Sequence, residues 1–130
     1  MTAEVRRLEG DRDDAAVRHI FRSTIALGRP LGAPPPALRT YEGLCLDWYL
    51  GAGRADARLL ADGERVLGYA LVCTDEDAYH RWSRRRALRA ALRVVPAATT
   101  SRFWRLRLRD AATLRSSPRP VGAHAHSPWV

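Results

Sequence analysis

Ala57-Arg-Leu-Leu-Ala-Asp-Gly-Glu-Arg-Val-Leu-Gly-Tyr-Ala70 has the outline of a β-hairpin. Ala57, Leu59 and Ala61 alternate with Arg58 and Leu60, the two-residue period of a strand with one covered face. Asp62-Gly63 is a tight-turn dipeptide, because glycine takes the positive φ such a turn requires. From Arg65 to Thr74 the chain is apolar almost throughout, which predicts a central strand covered on both faces.

On the amino-terminal side of the hairpin the period changes to that of a helix. Leu38, Tyr41, Cys45 and Trp48 mark one apolar face, Pro36 suits the first position, and Gly51-Ala-Gly53 stops the segment. Pro34-Pro35-Pro36 is a stiff connection. Before it, Val17, Ile20, Phe21 and Thr24 form a second helical stripe. Asp11, Asp13 and Asp14 offer its cap and first-turn acids, and Gly28 and Pro30 its stop. Glu4-Val-Arg-Arg-Leu8 alternates weakly and reads as a first strand. The order is strand, helix, helix, strand, strand, an α/β domain.

On the carboxyl-terminal side Thr74 is placed to cap a third helix whose first turn is Asp75-Glu76-Asp77. Leu88, Ala91, Leu92 and Val95 form its apolar stripe and Pro96 ends it. Trp104, Leu106 and Leu108 then alternate with Arg105, Arg107 and Arg109, a strand pattern taken alone. The continuation Asp110-Ala-Ala-Thr-Leu-Arg115 favours a helix from Ser101 to Ser116 on propensity. Ser116-Ser-Pro-Arg-Pro120 is a break, and 121–130 reads as the start of a further strand. There is no internal repeat.

The chain has 130 residues and a formal net charge of +8, enough for one domain with a modest core. Every one of its 22 basic residues is arginine, a bias that GC-rich codons produce without selection for guanidinium chemistry. Position is more informative than total. Residues 1–77 hold 10 arginines and 13 acids, a net −3, whereas 78–130 hold 12 arginines and one acid, Asp110, a net +11. Val66–Cys73, the longest apolar run, is far short of the roughly 20 residues of a membrane span. With Glu4, Arg6, Arg7 and Glu9 near its start the chain shows no secretory signal, so a cytoplasmic protein with Cys45 and Cys73 reduced is expected.

Few motifs carry chemistry. Gly51-Ala-Gly53-Arg54 follows a helix and leads into a strand, the reverse of a phosphate-binding loop, and reads as a helix stop. His124-Ala-His126 sets two imidazoles on one face of a strand, where either is a candidate general base. A zinc site needs more ligands than this pair, and His19, His80, Cys45 and Cys73 are not spaced to supply them, so no metal is expected. Between Arg81 and Arg119, Trp82, Phe103 and Trp104 interleave with the arginines. That pattern suits a basic helical module on nucleic acid or on an anionic surface, and it equally suits a solvated helical pair.

Val5-Arg-Arg-Leu8, the strand and helix order, and Ala57–Ala70 together resemble the amino-terminal half of the GNAT superfamily of N-acetyltransferases. Val66-Leu-Gly-Tyr-Ala70 is similar to that family's third strand, and Pro120–His126 to the approach to its fourth. The resemblance covers 4–74 fairly well and 121–126 thinly. It implies a single partial domain over 1–130, with an incomplete mixed sheet. Within it, 75–117 is an arginine-rich helical insertion and 121–130 the start of the fourth strand.

The resemblance also implies acetyl-CoA as cofactor and an amine as acceptor. Family members hold the cofactor's pyrophosphate on a Q/R-x-x-G-x-G/A loop that follows the fourth strand. Here Ser127-Pro-Trp-Val130 stands where that loop would begin, so no cofactor-binding residue carries over. His124 and His126 fall where base or acceptor-side residues are found, and Trp48 where the acceptor side is lined, unless it packs in the core. The expectation is an acetyltransferase-type chain, truncated and inactive alone, or one whose sheet a second chain completes.

Overall fold

Gly63, at φ +58°, supplies the positive φ at the first position of a two-residue turn and closes the hairpin of β2 (Arg58–Asp62) and β3 (Arg65–Ala70). The computed structural model describes residues 2–26 and 33–116. Strand β1 (Ala3–Arg7) pairs with β2, giving an antiparallel sheet of order β1-β2-β3 among the described residues. Helices α1 (Gly10–Thr24) and α2 (Leu38–Leu50) and a 3-10 turn (Arg54–Asp56) connect β1 to β2. Helices α3 (Glu76–Ala97) and α4 (Arg102–Ser116) follow β3. The protein is thus mixed α/β, as the patterning indicates. Gly28, Pro30, the break after Ser116 and the expected fourth strand lie outside the described residues.

Among the described residues the central strand is β2. Ala57, Leu59 and Ala61 are buried, and Ala57 and Leu59 share a cluster with Val17 of α1 and Leu46 and Leu50 of α2, while Leu60 points to the opposite, open face. Strand β3 lies at an edge among these residues and ends at Ala70 rather than Thr74. Its apolar run has another cause. Leu60 faces Gly68 but Ala61 faces Val66, so Leu67 is an extra residue and the strand bulges there. The bulge turns Val66 and Tyr69, three residues apart, onto the same core-facing side.

Helix α1 has no side-chain cap from its acids. Its cap position is Glu9, and Asp13 reaches back to accept the Glu9 backbone N–H at 2.6 Å. The same buried carboxylate takes two hydrogen bonds from Arg6 of β1, at 2.6 and 2.9 Å. The Arg6 bonds, with that backbone N–H, outweigh the burial that opposes ionisation and hold the Asp13 carboxyl below its ordinary range. Asp13 therefore ties the first strand to the first helix. Thr24, read as part of the buried stripe, is exposed, and Ile25 takes that role.

Helix α2 is covered on more than one side. Leu38, Leu46, Trp48 and Leu50 are buried, and so is Glu42, which the apolar pattern passes over. Arg18 and Arg22 of α1 both bind Glu42, Arg22 in a fork with bonds of 2.6 and 3.0 Å. Burial works against the Glu42 charge, and the bonds from Arg22 and Arg18 overcome it, so its pKa is lowered. Gly53 sits under Trp48, because a Cβ there would lie 2.6 Å from the indole nitrogen. At the other end Ala37 holds φ +62°, a left-handed conformation costly for any residue but glycine.

Helix α3 starts one residue later than expected, because Asp75 rather than Thr74 caps it, accepting the Ala78 N–H at 2.9 Å. It continues one residue past Pro96. Its buried face is not the leucine stripe. Ala90 and Val94 face inward, whereas Leu88, Leu92 and Val95 are exposed. The third helix lies against α2, where Trp48, Tyr79 and Trp82 pack ring to ring at 5.8 to 6.0 Å between centroids. That aromatic spine sets the rotation of α3 and turns its leucines outward. Segment 101–116 is helical, as its propensity favours. Trp104 anchors it, wholly buried, edge-on to Tyr41 at 5.3 Å and donating from its indole N–H to the Pro36 carbonyl.

Candidate anion-binding groove between the second and third helices

Residues three, four and seven apart share a helix face, so Arg39, Thr40, Gly43 and Asp47 of α2 line up opposite Arg86, Arg89 and Arg93 of α3. Between them runs a groove of about 270 Å³, which Leu44 also lines. Four guanidinium groups face one carboxylate. Asp47 is already shared, accepting from Arg18 of α1 at 2.9 Å and from Arg86 at 2.9 Å. Gly43 makes this sharing feasible, since a Cβ there would come within 2.9 Å of an Asp47 oxygen.

The arginines are held to different degrees. Arg86 stacks on the Trp82 ring at 4.6 Å while it pairs with Asp47. Arg93 donates to the Thr40 hydroxyl at 3.3 Å. Arg39 and Arg89 have no hydrogen-bond or ion-pair partner among the described residues, so their planar donor forks are available to phosphate or carboxylate oxygens. Arginine does not deprotonate in proteins, so these groups bind and orient an anion and transfer no proton.

The predicted site residues lie elsewhere. Trp48 is about nine-tenths buried beneath Tyr79 and Trp82, where it joins α2 to α3. His124 and His126 lie outside the described residues. Cys45 and Cys73 are free thiols. Burial pushes the Cys45 thiol up, against a hydrogen bond with Tyr41 that draws it down, so the sulfur stays protonated and weakly nucleophilic. No group of three or more histidine, cysteine or acidic residues among the described residues is arranged to hold a metal. None of the described helices is long and apolar enough to cross a membrane.

The sequence contains a signal for the groove: Arg86, Arg89 and Arg93 recur at i, i+3 and i+7. The pattern alone does not distinguish them from arginines in open water, because Arg39 lies about fifty residues away and meets them only once α2 and α3 pack. The chain matches no protein-family model, no curated protein and no solved structure.

Proposed function

We propose that β1 through β3, with α1 and α2, form the amino-terminal half of a GNAT-like N-acetyltransferase that is inactive without further strands. The observation carrying this reading is the half-covered sheet. Both connecting helices pack on one face, and on the other Val5 and Leu60 are left exposed over a groove of about 260 Å³. Strand β3 has a free edge among the described residues, which further chain or a second chain would pair.

Acetyl-CoA does not fit the residues described. A pyrophosphate is held by glycine-flanked N–H groups where a strand leads into a helix. The two described helices that follow strands, α1 and α3, begin with Asp11 and Asp13 and with Glu76 and Asp77. These acids complement the helix dipole and repel a phosphate. No catalytic step through the cofactor is therefore assigned to this part of the chain.

The test joins gene and protein. Reading the DNA downstream of codon 130 in all three frames is expected to reveal a Q/R-x-x-G-x-G/A segment. A chain extended through that segment binds acetyl-CoA in a calorimeter, and the 130-residue chain shows no heat at millimolar ligand. The motif's absence from every frame, or binding by the 130-residue chain, overturns the reading.

A second reading has its own observation. Arg81, Arg84, Arg85, Arg89, Arg102 and Arg109 have no counter-ion among the described residues, which favours α3 and α4 as a basic module for an anionic partner.

A further inference from the structure

Helical spacing places Arg81, Arg84, Arg85, Leu88 and Leu92 along one outward strip of α3, with Val95 at its border, where it also lines the groove toward α4. The three apolar side chains on it are 66%, 69% and 53% exposed, while Ala90 and Val94 fill the inward side. The helix has 22 residues and is therefore about 33 Å long, with its bare arginines toward the start of the strip and its bare aliphatics toward the end. Leu106 adds a further exposed aliphatic on α4, one turn from Arg102 and Arg109.

We propose that this outward strip of α3 docks on an anionic lipid surface, an inference that rests on the basic-module reading and names its partner. Aliphatic side chains enter the boundary between headgroups and acyl chains, and guanidinium groups beside them reach lipid phosphates. Nucleic acid is a poorer match. Single strands are held by aromatic rings on which bases stack. The three aromatics of this segment are engaged within the fold: Trp104 is wholly buried, Trp82 lies between Trp48 and Arg86, and Phe103 packs on Trp104 under Arg107. A second copy of the strip is poorer still: packed parallel it would set arginine rows against each other, and packed antiparallel it would set arginines on the other copy's leucines.

Co-sedimentation of the full chain with vesicles tests the proposal. The chain is expected to pellet with phosphatidylcholine vesicles containing phosphatidylglycerol, to stay in solution with phosphatidylcholine alone, and to release as salt rises. The double variant Leu88→Gln/Leu92→Gln lowers the partition constant about tenfold or more, since two exposed leucines no longer insert. Arg84→Gln and Arg85→Gln each lower it about fivefold and flatten its salt dependence. All three variants replace exposed side chains, so an unchanged melting midpoint by circular dichroism verifies the fold. Equal binding of the leucine variant, or of neutral vesicles, overturns the proposal. Salt-sensitive binding to single-stranded or duplex DNA without vesicle binding overturns it and keeps the basic-module reading. Binding to neither removes both, and a dimer dissolved by the leucine variant assigns the strip to self-association instead.

Discussion

Glu42 is the residue on which the two connecting helices meet. It is buried, and both of its oxygens accept from arginines of α1. Removing one partner of such a group leaves the others desolvated and unpaired, which costs more than the pair itself contributes. Arg18 and Arg22 keep partial access to water, which limits the penalty. Glu42→Ala is expected to destabilise the protein by about 2 kcal/mol in urea denaturation. Glu42→Gln keeps one acceptor and costs less. A glutamate in the middle of an apolar helical stretch reads from sequence as a solvent-facing position. Nothing local in α2 indicates that two arginines, some twenty residues earlier, will enclose it. Asp13 teaches the same lesson in a shorter loop: its place near a helix start was legible, but its two bonds from Arg6 depend on how β1 lies beside α1.

Helix α4 is anchored chiefly by one buried side chain, with Arg107 adding a hydrogen bond to the Ile25 carbonyl. Trp104 supplies its buried contact with α2 and its hydrogen bond to the connection before α2. Replacing a fully buried tryptophan by alanine removes packing worth about 3 kcal/mol or more. Trp104→Ala is expected to free α4 before the sheet yields. Amide exchange would then lose protection over 102–116 while β2 stays protected, and uniform loss over the chain would show that α4 belongs to the global folding unit. At this scale the helical and strand periods were readable in the sequence, but rotation and rank in the sheet were not. The leucines of α3 have correct helical spacing for a core face, and so do Ala90 and Val94. The larger apolar set is the natural choice, and only the Trp48–Tyr79–Trp82 spine turns the smaller one inward. Strand β3 likewise reads as central because its bulge puts apolar residues at both odd and even positions.

As a whole the molecule is a charge-segregated pair of layers. The sheet with α1 and α2 carries the acids and cross-links them to arginines, and α3 and α4 carry arginines with few acids to meet. The acid side sets the response to pH. Asp13 and Glu42 both have folded-state pKa values below their ordinary ones. Their stabilisation is therefore complete above about pH 5, where the unfolded groups are also ionised, and is lost as pH falls through the unfolded values to the depressed folded ones. Urea midpoints are expected to hold between about pH 5 and 7 and to drop below about pH 4, with a shallower drop in Glu42→Gln. A midpoint unchanged down to about pH 3 would show that neither network contributes. The sequence by itself determined the element order of the described residues, the hairpin and the separation of charge, because each of these is written in local period, turn residues or simple position; for 101–110 its strand period and its helical propensity pointed different ways, and the structure decided for the helix. Tertiary structure alone decided which carboxylates are buried, which strand is central and which face of α3 meets water. Those depend on contacts between residues far apart in the chain, where a few aromatic rings and guanidinium forks outweigh the preference of any single segment.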